Sequence, residues 1–213
     1  MPRILIFANG VLPDVQKARA LLQADDFILC ADGGARHACA LGVRPSLVIG
    51  DFDSLSEDER KNAESEGAKI VRYSHDKNET DLELAINHAL ELNPTSILIL
   101  AGLGDRLDQT LGNIALLGDP RLAELDVRLD DGVEETFFCR SRCELRGRSG
   151  DLVSLIPWTG AVEGISTDGL KWPLHDETLY PEKTRGISNE LLGSAASVSL
   201  ASGLLLIIHR RRS

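Results

Sequence analysis

An open parallel α/β sheet followed by a small antiparallel β-sandwich is the fold class this sequence predicts. Two observations carry that expectation. Up to about residue 117, strand-like apolar runs are separated by single helical segments, which implies parallel pairing with right-handed crossovers. Near Asp119-Pro120 the helical period disappears, and short alternating strands with turn residues take over. The expected division is residues 1–122 and 123–213.

In the first part, Arg3–Phe7 is a buried strand and Asp14–Ala24 a helix with Val15, Ala18, Leu21 and Leu22 on one face. Phe27–Ala31 is a second strand, followed by a helix from Gly34 to Leu41 that Gly42 terminates. Leu47–Gly50 is a third strand, Ser56–Glu66 a charged helix closed by Gly67, and Ala68–Tyr73 a fourth strand. Thr80 and Glu83 have the spacing of a capping box opening the helix Asp81–Leu92. Ser96–Ala101 and Arg106–Leu117 complete the alternation. In the second part, Asp126–Leu129, Glu134–Cys139, Cys143–Arg146 and Asp151–Ile156 are short strands. Ala196–Leu200 and Leu204–His209 are expected to form a hairpin about Ala201-Ser202-Gly203.

Composition narrows the function. With 43% hydrophobic residues the chain has enough apolar matter for a core, which excludes a disordered segment. A net charge of -10 argues against a general nucleic-acid binder, so the basic tail His209–Arg212 is expected to be a solvated terminus. No apolar run approaches the ~20 residues of a membrane span, and Met1–Gly10 lacks the form of a signal peptide. A cytoplasmic protein without a membrane partner is expected. The four cysteines lack zinc or redox spacing and are expected to be buried or half-buried free thiols.

The acidic residues gather where strands end. Asp32 follows the second strand, Asp51 and Asp53 the third, Asp81 the fourth, and Asp105 and Asp108 the fifth. In a parallel sheet all of these lie at the carboxyl edge, where such folds bind ligands. A cluster of carboxylates is repulsive when empty, so it calls for a cation, and all-oxygen donors favour Mg²⁺ or Mn²⁺. Glycines in Ala31-Asp32-Gly33-Gly34-Ala35 and Gly102-Leu103-Gly104-Asp105-Arg106 allow close backbone approach to a phosphate, with Arg106 available to pair with its oxygens. Neither the dinucleotide fingerprint nor the P-loop pattern is present. Asp51-Phe52-Asp53-Ser54 is similar to the nucleophile motif of haloacid-dehalogenase-like phosphatases, although there the motif follows the first strand. An aspartate-nucleophile phosphatase or nucleotide hydrolase is therefore one alternative, and a non-catalytic Mg-nucleotide sensor another.

Taken in order, several short stretches resemble the thiamine pyrophosphokinase family over nearly the whole chain. They are Ala31–Ala35, Gly50–Ser54, Thr80-Asp81-Leu82, Arg106–Gln109 with Asn113, Gly150–Pro157, Thr167–Trp172 and Ser188-Asn189-Glu190. The resemblance implies a catalytic α/β domain, a thiamine-binding β-sandwich, and a homodimer with thiamine bound between subunits. It implies transfer of the pyrophosphoryl group of ATP to the thiamine hydroxyl, giving thiamine diphosphate and AMP. By resemblance Asp51, Asp53 and Asp81 carry the metal, with Asp108 beside them. Asp32, Gly33, Gly34, Arg106, Asp108 and Gln109 surround ATP, and Thr80, Trp172, Ser188 and Asn189 meet thiamine. Relatives often read Lys-Asp where this chain has Lys77-Asn78, and Asp105 is a carboxylate without an assigned role. Trp172 suits an aromatic platform for the flat, cationic thiamine, whereas Trp158 suits core packing.

Overall fold

The computed structural model describes residues 1–104 and 106–212, and Asp105 therefore lies outside the described residues. The chain divides into two compact units, Met1–Gly132 and the remainder from Val133. In the first, β1 (Arg3–Phe7), β2 (Phe27–Ala31), β3 (Leu47–Gly50), β4 (Lys69–Arg72), β5 (Ser96–Leu100) and β6 (Asp126–Asp130) pair parallel. Their order is β6-β5-β1-β2-β3-β4. Strands β1, β2, β3 and β5 are apolar and almost wholly buried, as parallel strands covered on both faces must be. One apolar layer joins Leu5, Phe7, Cys30, Val48 and Leu98 to Ala18, Ala38, Leu41 and Ala63 on the helices.

The helices are α1 (Val15–Arg19), α2 (Ala35–Leu41), α3 (Glu57–Ser65), α4 (Asp81–Glu91) and α5 (Leu107–Leu116). The first is much shorter than its apolar spacing predicts. Arg3 Nη2 takes the Leu21 carbonyl at 2.9 Å and Asp26 accepts the Gln23 N–H at 2.8 Å, so tertiary and local bonds draw the chain out of the helix. The reciprocal capping box forms at Ser56–Glu59, while Thr80 caps α4 by accepting the Glu83 N–H. Strand β6 pairs parallel with β5 through Ile97↔Val127 and Ile99↔Leu129. That pairing keeps it in the first unit and moves the boundary from 122 to after Gly132.

The second unit is the expected sandwich. One antiparallel sheet orders β12 (Asn189–Glu190), β9 (Leu152–Pro157), β14 (Leu205–Arg210) and β7 (Glu134–Cys139). The other orders β11 (Glu177–Leu179), β10 (Val162–Asp168), β13 (Ala195–Ser199) and β8 (Arg142–Arg146). Leu145, Val153, Leu155, Ile165, Val198, Leu205 and Ile207 fill the space between them. Strands β13 and β14 do not form the expected hairpin. Each pairs with other strands, in different sheets, so residues 200–204 are an arch between layers. The tail is also not free: His209 is fully buried in β14, 3.2 Å from Asp151, and Arg211 pairs with Glu135 at 2.7 Å. Trp158 packs edge-on against Phe138, as expected of a packing residue. The four cysteines are free, but Cys39 is exposed rather than buried or half-buried. No helix among the described residues is long and apolar enough to cross a membrane.

Two glycines test this packing. A Cβ on Gly34 would lie 2.1 Å from the Phe7 carbonyl oxygen, whereas Gly112, inside α5, has open space around it. Gly34→Ala is expected to cost about 1–3 kcal/mol through overpacking, and Gly112→Ala to add about 0.5–1 kcal/mol by limiting the unfolded chain. Urea midpoints of the two variants moving in opposite directions is the expected result.

Candidate active site

The chain leaves β1 towards β2, β3 and β4 on one side and then places β5 on the other side of β1. Such a switch point opens a crevice at the carboxyl ends of the strands. Here the crevice holds a cavity of about 440 Å³. Each strand end contributes: Asn9 and Gly10 after β1, Asp32 after β2, Asp51, Asp53 and Ser54 after β3, Lys77, Thr80 and Asp81 after β4, and Gly102, Gly104, Arg106 and Gln109 after β5. The turns that carry these groups are strained. Asp32, Phe52 and Ala101, none of them glycine, have φ of 43°, 64° and 54°, in the left-handed region. Strain of this kind persists where surrounding structure over-determines the backbone, commonly at functional sites.

Oxygens of Asp32, Asp51 and Asp81 come within 4.8 Å of one another, and Asp51, Asp53 and His75 form a second such set. Asp51 belongs to both, while Asp53 and Asp81 fall in different sets. The Asp32 carboxylate is buried, and its Oδ1 has no hydrogen-bond partner. Burial raises its pKa, and the charges of Asp81 and Asp53 push the same way against hydrogen bonds from Ser54 and the Gly33 N–H. Asp51 behaves oppositely. Burial again disfavours its charge, but the Asp53 N–H, His75 and the Lys77 ammonium outweigh that and hold its pKa below the ordinary value. The His75 Nδ1 lies 2.9 Å from Asp51 Oδ2, and Lys77 Nζ lies 3.5 Å from it while also pairing with Asp81. For Lys77, burial opposes the charge, but the two carboxylates raise its pKa.

Of the expected site residues, the first unit brings Asp32, Asp51, Asp53, Thr80, Asp81, Arg106 and Gln109 to one cavity. Gly33 and Gly34 are buried and do not line it. A Cβ on Gly33 would lie 2.3 Å from Asn9 Oδ1, so these glycines let the turn lie against β1. Asp108 is exposed and grips Arg106 through two bonds of 2.6 and 3.2 Å. Two residues that line this cavity, Lys77 and Asn9, and His75 beside Asp51, are not marked as site residues by the sequence reading. Lys77 lies in the loop between β4 and α4, four residues before Asp81, and reaches that carboxylate through the fold of the loop rather than through a helical repeat; nothing in the local pattern marks His75 or Asn9.

In the second unit, Asn189 is buried and bridges to Trp172: its Oδ1 accepts the Trp172 N–H at 3.0 Å and its Nδ2 donates to the Trp172 carbonyl at 2.7 Å. The Trp172 side chain stands 54% exposed, which excludes core packing. Lys171 Nζ sits 4.7 Å from the centre of its ring, so the ring already receives a cation. Ser188, exposed and at φ 59°, donates its N–H to Ser154 Oγ at 3.1 Å.

Comparison with known proteins adds a family. The model of the thiamin pyrophosphokinase catalytic domain matches residues 18–129, and that of the thiamin pyrophosphokinase vitamin B1 binding domain matches residues 142–205. A thiamine pyrophosphokinase of Bacillus subtilis (strain 168) is 33% identical over 179 residues, 83% of this chain and 84% of the relative. A crystal structure of thiamine pyrophosphokinase from Bacillus subtilis superposes with a TM-score of 0.89 at 27% identity, covering 99% of this chain and 100% of that one. One from Geobacillus thermodenitrificans gives 0.86 at 27% identity, covering 99% and 98%.

The opposed shifts of Asp32 and Asp51 predict opposed mutants. A carboxyl whose native pKa is raised contributes its full stability below about pH 3.9 and loses it as pH rises through the native value. One whose native pKa is lowered contributes above about pH 3.9 and loses that as pH falls. In metal-free protein at pH 7, Asp32→Asn should therefore raise the melting temperature and Asp51→Asn lower it, both differences shrinking below pH 4. Thermal melts across pH check this, and shifts of the same sign would contradict the assignment.

Proposed function

The chain belongs to the thiamin pyrophosphokinase family, and on that premise we propose that it transfers the pyrophosphoryl group of ATP to thiamine. The thiamine hydroxyl oxygen bonds to the β-phosphorus, the bond from that phosphorus to the α-side bridging oxygen breaks, and AMP leaves as the hydroxyl proton is released. The products are thiamine diphosphate and AMP. The observation that carries the reading is the cavity at the switch point, which joins three converging carboxylates to Arg106 and Gln109.

Asp32, Asp51 and Asp81 would hold a Mg²⁺ ion, with Mn²⁺ as a substitute, and Asp53 would face the same ion. The orphaned Asp32 Oδ1, the all-oxygen donors and the raised Asp32 pKa fit a hard divalent cation. When bound, such an ion neutralises polyphosphate charge and orients the phosphate chain. Lys77, held between Asp51 and Asp81, would supply a second positive group to that chain. Arg106 would pair with phosphate oxygens, held in place by Asp108 in its fork. Gln109 would line the ATP side, with Gly33 and Gly34 setting the turn that presents Asp32. Thr80, Trp172, Ser188 and Asn189 would meet thiamine, Asn189 by fixing the segment that displays the Trp172 ring.

We also infer a cytoplasmic homodimer with thiamine bound between subunits. Support comes from apolar side chains that each unit exposes by itself: Leu107 and Leu111 on α5, and Trp172, Ile187 and Leu192 in the sandwich. An aspartate-nucleophile phosphatase is less well supported, because Asp51 is tied to three donors rather than free to attack.

With ATP, Mg²⁺ and thiamine, AMP should form in equal amount with thiamine diphosphate; free phosphate without thiamine would instead identify a hydrolase. Trp172→Ala removes a cation–π contact of about 0.5–2 kcal/mol, so the KM for thiamine should rise about two- to thirtyfold with ATP binding unchanged. Arg106→Ala should lower kcat while thiamine binding survives. Unaltered thiamine affinity in Trp172→Ala would overturn the platform role of Trp172. At thiamine concentrations too low for Trp172→Ala alone, mixed and exchanged Asp53→Asn and Trp172→Ala chains should regain partial activity; no recovery after proven exchange would place each site within one chain.

A further inference from the structure

The loop that follows β3 carries two site carboxylates, yet its own backbone is strained at Phe52 and Asp53 is exposed. What holds it comes from outside the cavity. Arg36, on α2, donates from Nη2 to the Ser54 carbonyl and forms a two-point fork with Glu59 of α3, Nε to Oε1 at 2.6 Å and Nη2 to Oε2 at 3.0 Å. Glu59 in turn accepts the N–H and the hydroxyl of Ser56 through Oε2, both at 2.8 Å. The fork and these bonds hold the Glu59 carboxyl down to about 2, so it stays charged throughout the physiological range.

Ser54 is where this grip reaches the site. Its hydroxyl donates to Asp53 Oδ1 at 3.0 Å, and Ser54 also stands near enough to Asp32 to favour that carboxylate's charged form. A hydroxyl carries one proton, so it can donate to one of the two carboxylates at a time. Its placement therefore decides how the repulsion among them is shared. The Arg36 and Glu59 side chains are 50% and 37% exposed, and a pair so open to water contributes little to global stability. A local task accounts for it better.

We propose that Arg36, oriented by Glu59, is a positioning residue for the carboxylate cluster, setting Ser54 and through it Asp32 and Asp53 for cation binding. The proposal rests on the diphosphotransferase reading above for its consequence in catalysis. It does not rest on it for the loop geometry or for cation binding. Arg36→Lys keeps a charge but cannot supply the planar fork and the carbonyl bond together, so it should fall between wild type and Arg36→Met.

The test compares wild type, Arg36→Met, Arg36→Lys and Glu59→Gln in three measurements. In the metal-free protein, amide hydrogen exchange of residues 51–56 should quicken about tenfold in Arg36→Met and Glu59→Gln, with β1 and β2 as protected as in wild type. Mn²⁺ binding without substrates, followed by the electron-spin signal of the free ion, should weaken about three- to tenfold, with Arg36→Lys intermediate. Thiamine diphosphate formation should need correspondingly more Mg²⁺, with kcat at saturating Mg²⁺ changing less. Unchanged Mn²⁺ affinity in Arg36→Met overturns the positioning role, whether or not exchange quickens, and so does a loss of protection spread through β1 and β2. A wild type that binds Mn²⁺ but makes no thiamine diphosphate overturns the functional reading alone, and the first two measurements still decide the role of Arg36.

Discussion

Mutual repulsion among carboxylates at one sheet edge is the constraint around which the first unit is organised. Asp32, Asp51 and Asp81 converge within 4.8 Å, a distance at which like charges in a partly buried site oppose each other strongly. The chain distributes the burden unequally. Asp51 is stabilised by a backbone N–H, an imidazole and an ammonium, whereas Asp32 is buried with an oxygen left unpaired. Lys77 is central to this balance because it pairs with two of the three carboxylates from one position.

The backbone is shaped by the same demand. Bringing carboxylates from adjacent parallel strands to one point requires each chain to turn sharply as it leaves the sheet. The turns at Asp32, Phe52 and Ala101 do so in a conformation that non-glycine residues avoid. The buried strands beneath supply rigidity, and the closely packed Gly33 and Gly34 remove the steric obstacle to placing the β2 turn against β1. Stability in the core thus offsets strain at the rim.

The second unit answers a different demand. Its two sheets are joined by arches, and a buried polar group, His209 with Asp151, ties the last strand to the turn before β9. On that frame Asn189 locks the Trp172 backbone through two hydrogen bonds while the indole ring stays exposed. A rigid backbone under an exposed aromatic is a pre-organised surface, which lowers the entropy lost when a ligand docks.

The amino-acid order by itself determined the strand–helix alternation, the change to a sandwich, and the gathering of Asp32, Asp51, Asp53 and Asp81 at strand ends. Those features follow from periodicity and from position relative to a strand, both local properties of the chain. Tertiary structure alone decided that β6 joins the parallel sheet, that β13 and β14 part into different sheets, and that α1 stops at Arg19. It also decided that the Asp32 pKa is raised and the Asp51 pKa lowered, and that Lys77, His75 and Arg36 attend the cluster. The reason is physical: a strand's partner, a carboxylate's dielectric surroundings and a side chain's reach are set by groups distant in sequence, and no local pattern encodes them.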